Sequence, residues 1–302
     1  MINNPSLKIL VLGANGLLGN TVFRTLSQNP SWNVRGTLRN ASLLARFPST
    51  LAANIIAPID VTSRNRLQDL VDHFRPAVVV NCVGVTKHVP MGNDPIAAYT
   101  INSLLPHCLA ALCANAQARL IHISTDCVFS GTKGMYIEED QTDADDIYGQ
   151  SKAAGEVNYT NSITLRTSYI GHELESSRGF LAWFLSQKSS CKGFRKAYFS
   201  GVPTVILAGI IRDVVIPNPM LNGLFHVASK RISKFDLLTM IAKIYQKEIQ
   251  IIPEDSVIVD RSLDATRFQK VTGYEPPDWS TLVNEMHSDF VQARGFYEPT
   301  AL

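Results

Sequence analysis

Four side chains between residues 124 and 152 could together hold a carbonyl and deliver a proton to it. Tyr148 and Lys152 are four residues apart, so on a helix they share one face, a turn from each other. Ser124 and Thr125 follow the apolar run Leu120-Ile121-His122-Ile123, which places their hydroxyls where a buried strand would end. A phenol, an ammonium one turn away and a strand-end hydroxyl make a proton-delivery set. Asp145 and Asp146 stand just ahead of the tyrosine, where acidic side chains cap the free N–H groups of a starting helix. Tyr-to-Lys spacing alone is weak, because chance supplies it often in chains of this size. Its weight rests on what lies upstream.

Upstream, the apolar run 7–12 leads at once into Gly13-Ala-Asn15-Gly16-Leu17-Leu18-Gly19 and then a helical pattern. Strand, glycine-rich turn and helix are the setting of a dinucleotide site. Gly13 permits the tight turn, Gly16 the close approach of a pyrophosphate, and Gly19 close packing of helix on strand. The second strand, 33–38, ends in Leu38-Arg39-Asn40 with no acid to bond a ribose. A guanidinium there suits the 2′-phosphate of NADPH, or is a solvated surface arginine. A third strand, 55–59, precedes Asp60-Val61, where the carboxylate meets an adenine amino group or caps the next helix.

The run 76–84 is almost unbroken apolar, as in a strand buried on both faces of a parallel sheet. Its end, Asn81-Cys82-Val83-Gly84, would line the cofactor at the carboxyl edge of the sheet. Thr86, Lys87 and His88 form a polar loop that touches substrate or is plain surface. Residues 94–116 read as one long helix despite Pro106, with Asn102 its polar residue of interest. With 119–124 as the next strand, strands and helices alternate through about residue 159, which predicts a doubly wound α/β domain of Rossmann type. The boundaries expected are 1–165 for this domain and 166–302 for a smaller α/β lobe, some of whose segments return to the sheet.

The 302 residues carry a net charge of +2, with 45% hydrophobic and 18% charged side chains. No single-sign block calls for nucleic acid or an anionic membrane. The longest apolar runs are strand-sized, short of the ~20 residues that span a bilayer. Residues 1–6 lack the basic and apolar regions of a signal peptide. Five cysteines without a C-x-x-C read as reduced thiols of a cytoplasmic protein. Seven histidines lack ligand spacing, so no bound metal is expected.

Together, G-x-x-G-x-x-G on the first strand, N-C-V-G on the fourth, S-T-D on the fifth and Y-x-x-x-K on the next helix resemble the extended short-chain dehydrogenase/reductase family. Within it, S-T-D-C-V-F-S-G, Y-G-Q-S-K-A-A-G-E, L-R-T-S-Y-I-G and G-V-P-T are similar to the dTDP-4-dehydrorhamnose reductase family. The resemblance implies catalysis by Thr125, Tyr148 and Lys152. NADPH would deliver hydride to the C4 ketone of a nucleotide-linked 4-keto-6-deoxy sugar. Tyr148 would donate the proton, its pKa brought down by the Lys152 ammonium, and Thr125 would orient the ketone. Lys152 would also hold the nicotinamide ribose, and Asn102 would support a proton path to it or be structural. Cys127 stands where related 4,6-dehydratases carry a glutamate, which favours simple reduction.

Asp126, Arg166, Trp183, Phe199, Pro203 and Thr204 are the remaining substrate candidates, although Trp183 and Phe199 read equally as core. Asp260-Arg261-Ser262-Leu263-Asp264 only partly matches the family's late substrate motif, which leaves the sugar and its nucleotide (dTDP or UDP) open. The resemblance also implies a homodimer. Two other readings stand beside the reductase: a sugar-nucleotide epimerase, and a non-catalytic regulatory subunit on the same fold, as in the β subunit of methionine adenosyltransferase.

Overall fold

The computed structural model describes residues 6–87, 94–174 and 179–297. Its centre is a seven-stranded sheet of β1 (Leu7–Leu12), β2 (Trp32–Thr37), β3 (Ile55–Ile56), β4 (Val78–Asn81), β5 (Arg119–Thr125), β6 (Ser162–Thr167) and the late strand Gly223–His226. In space the order is Gly223–His226, β6, β5, β4, β1, β2, β3, and every neighbouring pair is parallel. The order reverses between β1 and β4, the crevice where open α/β sheets bind ligands. β4 is buried along its whole length, as its valine run requires.

Helices cover both faces. On one, α1 (Leu17–Ser27) and the helix Thr204–Ile210 pack with Ile9, Val11, Ile121, Ile163 and Leu165 into the largest core cluster. On the other, Leu10, Leu12, Val79 and Leu120 meet Leu67, Leu105, Leu109 and Leu112. A separate cluster, with Ile170, Phe184, Leu237, Ile241, Trp279 and Leu282 at its centre, forms the core of the smaller lobe. Segments beyond residue 165 return to the sheet. Val202, Leu207, Ile211 and Phe225 belong to the core of the sheet.

The long helix over 94–116 is interrupted. Its parts are Pro95–Tyr99, a π-helical turn at Thr100–Leu104, and Leu105–Asn115. Pro106 has no N–H to offer the Asn102 carbonyl four residues back, and the wide turn falls where that bond would be made. Pro95–Asn115 has a mean hydropathy of 1.4 over its most apolar window, long and apolar enough to cross a bilayer by composition alone. Even so, 56% of that window is buried inside the protein.

Candidate active site

Thr125, Tyr148 and Lys152 meet at the carboxyl end of β5. The helix Ile147–Ala154 starts where the sequence places it, with the Asp146 carboxylate accepting from Gly149 N–H at 2.7 Å; Asp145 is exposed and takes no part. Gly149 lets the helix press on the turn after β5, since a Cβ there would lie 2.2 Å from the Cys127 carbonyl oxygen. Lys87 reaches the same cap from the loop after β4, with Nζ 3.3 Å from Asp146 Oδ2. Thr125 Oγ1 accepts from Cys127 N–H at 3.1 Å. His88, next to Lys87 in the predicted polar loop, lies outside the described residues.

Lys152 is 5% exposed and donates to the Ile123 carbonyl at 2.7 Å. Burial pulls its ammonium down to about 8, against Glu156 and Cys82, which favour the charged form. Tyr148 departs from expectation. Burial, followed by Cys127 and Tyr169, pushes its phenol well above the ordinary value, and Thr125 only partly opposes this. Lys152 is not among the main influences on it. In the protein alone the tyrosine is therefore neutral and holds its proton, the state a donor needs.

The glycine turn sits against this edge. Gly13 takes φ +79°, and a Cβ on it would touch Val83 Cγ2 at 3.0 Å, so the turn abuts the segment Cys82–Gly84. A Cβ on Gly19 would lie 2.0 Å from the Gly13 carbonyl oxygen, which fixes α1 tightly over the turn. Gly13 and Ala14 N–H groups bond to Thr37 Oγ1 and O, tying β2 to the turn. Gly16 caps α1 without a side chain. Asn15, Leu17 and Leu18 thus frame an uncapped helix start at the switch point of the sheet, which could take a pyrophosphate.

Arg39 is exposed just beyond β2 and lies close enough to Asp60 to help hold that carboxylate below its usual range, after two hydrogen bonds from Thr62. Asp60 spends itself on that Thr62 turn and does not cap the helix Arg64–Phe74, whose N-cap is Ser63. Val61 follows it, half-buried. Asn102 is structural in this arrangement: it accepts from Val85 N–H and donates to Val85 O and Ser151 Oγ, which occupies the amide.

The substrate candidates divide sharply. Thr86 and Lys87 lie on the loop after β4, and Asp126 is buried beside Thr125 at 3.3 Å. Arg166 does not face the site. It is 2% exposed, with its fork taken by Glu156 at 2.8 and 2.5 Å and its third nitrogen 2.9 Å from His226. Thr204 is buried against Thr21 of α1 and Pro203 pairs beside Ile170, so both serve packing. Phe199 packs on Trp279, and Trp183 is 38% exposed on the helix Phe180–Ser186.

Sequence reasoning missed other residues. Burial raises the Asp126 pKa, and the charges that act against this are Arg261 and Lys234, from segments far along the chain. Lys234 stands 5.7 Å over the Phe180 ring. Tyr169, directly after β6, is pushed up to about 12 by burial and then by Cys82 and Glu173, and its phenol acts on that of Tyr148. The partly matching 260–264 motif was the one available signal for Arg261; Lys234 had none.

Comparison with known proteins joins this geometry to a family. The model of the RmlD substrate binding domain matches residues 7–292, nearly the whole chain. The chain belongs to that family. The match agrees with the extended dehydrogenase/reductase motifs and with the parallel sheet. One relative is the "probable low-salt glycan biosynthesis reductase Agl14" of Haloferax volcanii, 30% identical over 270 residues, 85% of this chain and 86% of that one. Another is the methionine adenosyltransferase 2 subunit beta of Bos taurus, 28% identical over 255 residues, 80% of this chain and 73% of the relative. Among solved structures, dTDP-4-dehydrorhamnose reductase of Bacillus anthracis, in complex with NADP, superposes with a TM-score of 0.76 at 21% identity, over 93% of this chain and 99% of that one.

Proposed function

We propose that the protein is an NADPH-dependent reductase of the C4 ketone of a nucleotide-linked 4-keto-6-deoxy sugar, acting in deoxysugar or polysaccharide biosynthesis. The observation that carries this is the meeting of Thr125, a proton-bearing Tyr148 and Lys152 beside the glycine turn. A pure binding module has no need of the phenol. The residues fit a dinucleotide: Gly13 to Gly19 would hold the pyrophosphate, Arg39 the 2′-phosphate, Asp60 and Val61 the adenine side, and Cys82 to Gly84 the crevice wall. When bound, the nicotinamide supplies hydride.

The protein's own part is positioning and proton transfer. Thr125 Oγ1 binds the ketone oxygen and orients it. The Tyr148 hydroxyl passes its proton to the same oxygen, and Lys152, one turn along the helix, would hold the nicotinamide ribose. Asp126 with Thr86 and Lys87 borders the sugar, and Lys234 and Arg261 offer charge to its diphosphate. Trp183 and Phe199 remain the aromatic candidates for the base.

The test is nicotinamide absorbance followed with dTDP- and UDP-linked 4-keto-6-deoxy sugars. Net NADPH oxidation is expected, faster than with NADH. Interconversion of sugar epimers without net oxidation would make it an epimerase. Cofactor binding without turnover on any sugar nucleotide would favour the regulatory-subunit reading, which the 28% identity to the methionine adenosyltransferase subunit supports.

A further inference from the structure

The hydrogen-bonded chain Ser124–Glu156–Arg166–His226 lies behind the proposed site, buried at every member but Glu156, whose side chain is 12% exposed. Glu156 sits just past the end of the helix Ile147–Ala154, one turn beyond Lys152. Its carboxylate accepts from Ser124 Oγ at 2.6 Å, Arg166 Nε at 2.8 Å and Arg166 Nη2 at 2.5 Å. Arg166 is in turn fixed by His226 Nε2 at 2.9 Å and by the Phe129 ring, 4.9 Å beneath the guanidinium. Ser124 lies between Ile123, whose carbonyl receives Lys152, and Thr125. One carboxylate thus ties the strand end that carries Thr125 to the helix that carries Tyr148 and Lys152.

We infer that Glu156 is a positioning residue of the site, tying the helix that carries Tyr148 and Lys152 to the end of β5 that carries Thr125. This rests on the reading of Lys152 given above. Among the described residues, the groups facing the lysine are few. Cys82 comes from the end of β4, His122 from β5, Tyr148 lies a turn earlier on its own helix, and Glu156 is the carboxylate among them. Burial drives His122 well below its ordinary value, so it is neutral and brings no charge. Burial likewise drives the Cys82 thiol up to about 12, and it too is neutral near pH 7. Among the described residues, Glu156 is thus the carboxylate that works against the desolvation of Lys152. Arg166 aims that carboxylate, and the arginine of the L-R-T-S motif is spent on this contact.

The experiment is the titration of the Lys152 side chain by NMR in lysine-labelled protein without cofactor, with the resonance assigned through Lys152→Arg. The wild-type midpoint is expected near 8. In Glu156→Gln it should fall by about one pH unit or more, and in Glu156→Asp it should return most of the way. Glu156→Gln leaves Arg166 buried without an anionic partner, so the double variant E156Q/R166M, with no charge left in the pair, guards against loss of fold. Its midpoint should also be low while its denaturation midpoint recovers. A midpoint at the wild-type position in either folded variant would overturn the inference. The alkaline limb of kcat/KM should move with the midpoint. If wild type turns over no sugar nucleotide, the reductase reading fails while the titration still decides the role of Glu156.

Discussion

The two walls of the proposed site are built differently. On the sheet side, Thr125, Tyr148 and Lys152 sit on one strand and the following helix, and each is held by short-range bonds: the Asp146 cap, the Thr125 turn and the Ile123 carbonyl. On the lobe side, Lys234 and Arg261 converge on Asp126 from segments with no local relation to each other. The first wall is fixed by residue spacing along regular elements. The second exists only after the chain has folded.

The comparison breaks most visibly at Tyr148. Tyr148→Phe should lower kcat by roughly 10²- to 10⁴-fold, the range of a general acid, with NADPH affinity and circular dichroism unchanged. Comparable loss of cofactor binding would show that the sheet-side wall is not independent of the turn. Next in size is Arg166→Ala. It removes the cationic partner of the largely covered Glu156 side chain, and urea denaturation should report a loss of about 3–5 kcal/mol. A raised KM at unchanged stability would instead return Arg166 to the substrate.

Smaller effects sharpen the contrast. Lys234→Met or Arg261→Gln should each raise KM for a sugar nucleotide by roughly 10-fold or more, as expected for one charge-assisted hydrogen bond, and leave kcat nearly intact. Steady-state kinetics that showed falling kcat with constant KM would move these residues into the chemistry. Smallest is Asp146→Ala, which removes the helix cap and should cost about 1 kcal/mol in thermal or urea unfolding.

This division also explains what the sequence made legible. The glycine turn, the strand-end hydroxyls and the capped helix depend on neighbours within a few residues, and all were readable from spacing. Arg166 looked available because its motif follows a strand; nothing local announces that Glu156 and His226 consume its fork. Pro203 and Thr204 failed for the same reason, since their partners Ile170 and Thr21 come from distant elements. The raised Tyr148 phenol was missed because burial, followed by the charges of Cys127 and Tyr169, governs it, and the lysine one turn away is not among the main influences. Which late segments return was not legible, because Val202–Ile211 rejoins the core of the sheet through apolar surface and not through chain order.

The wide turn at Thr100–Leu104 bears on how this scaffold can change. A Cβ at Gly155 would stand 1.8 Å from the Asn102 carbonyl oxygen, so the backbones there meet with no room between them. Any side chain at 155 would first require the helix at 102 to retreat, and with it the amide that clasps Val85. Variation at the foot of the catalytic helix is thereby coupled to the loop after the neighbouring strand β4, and a library that randomises one without the other should return few soluble members.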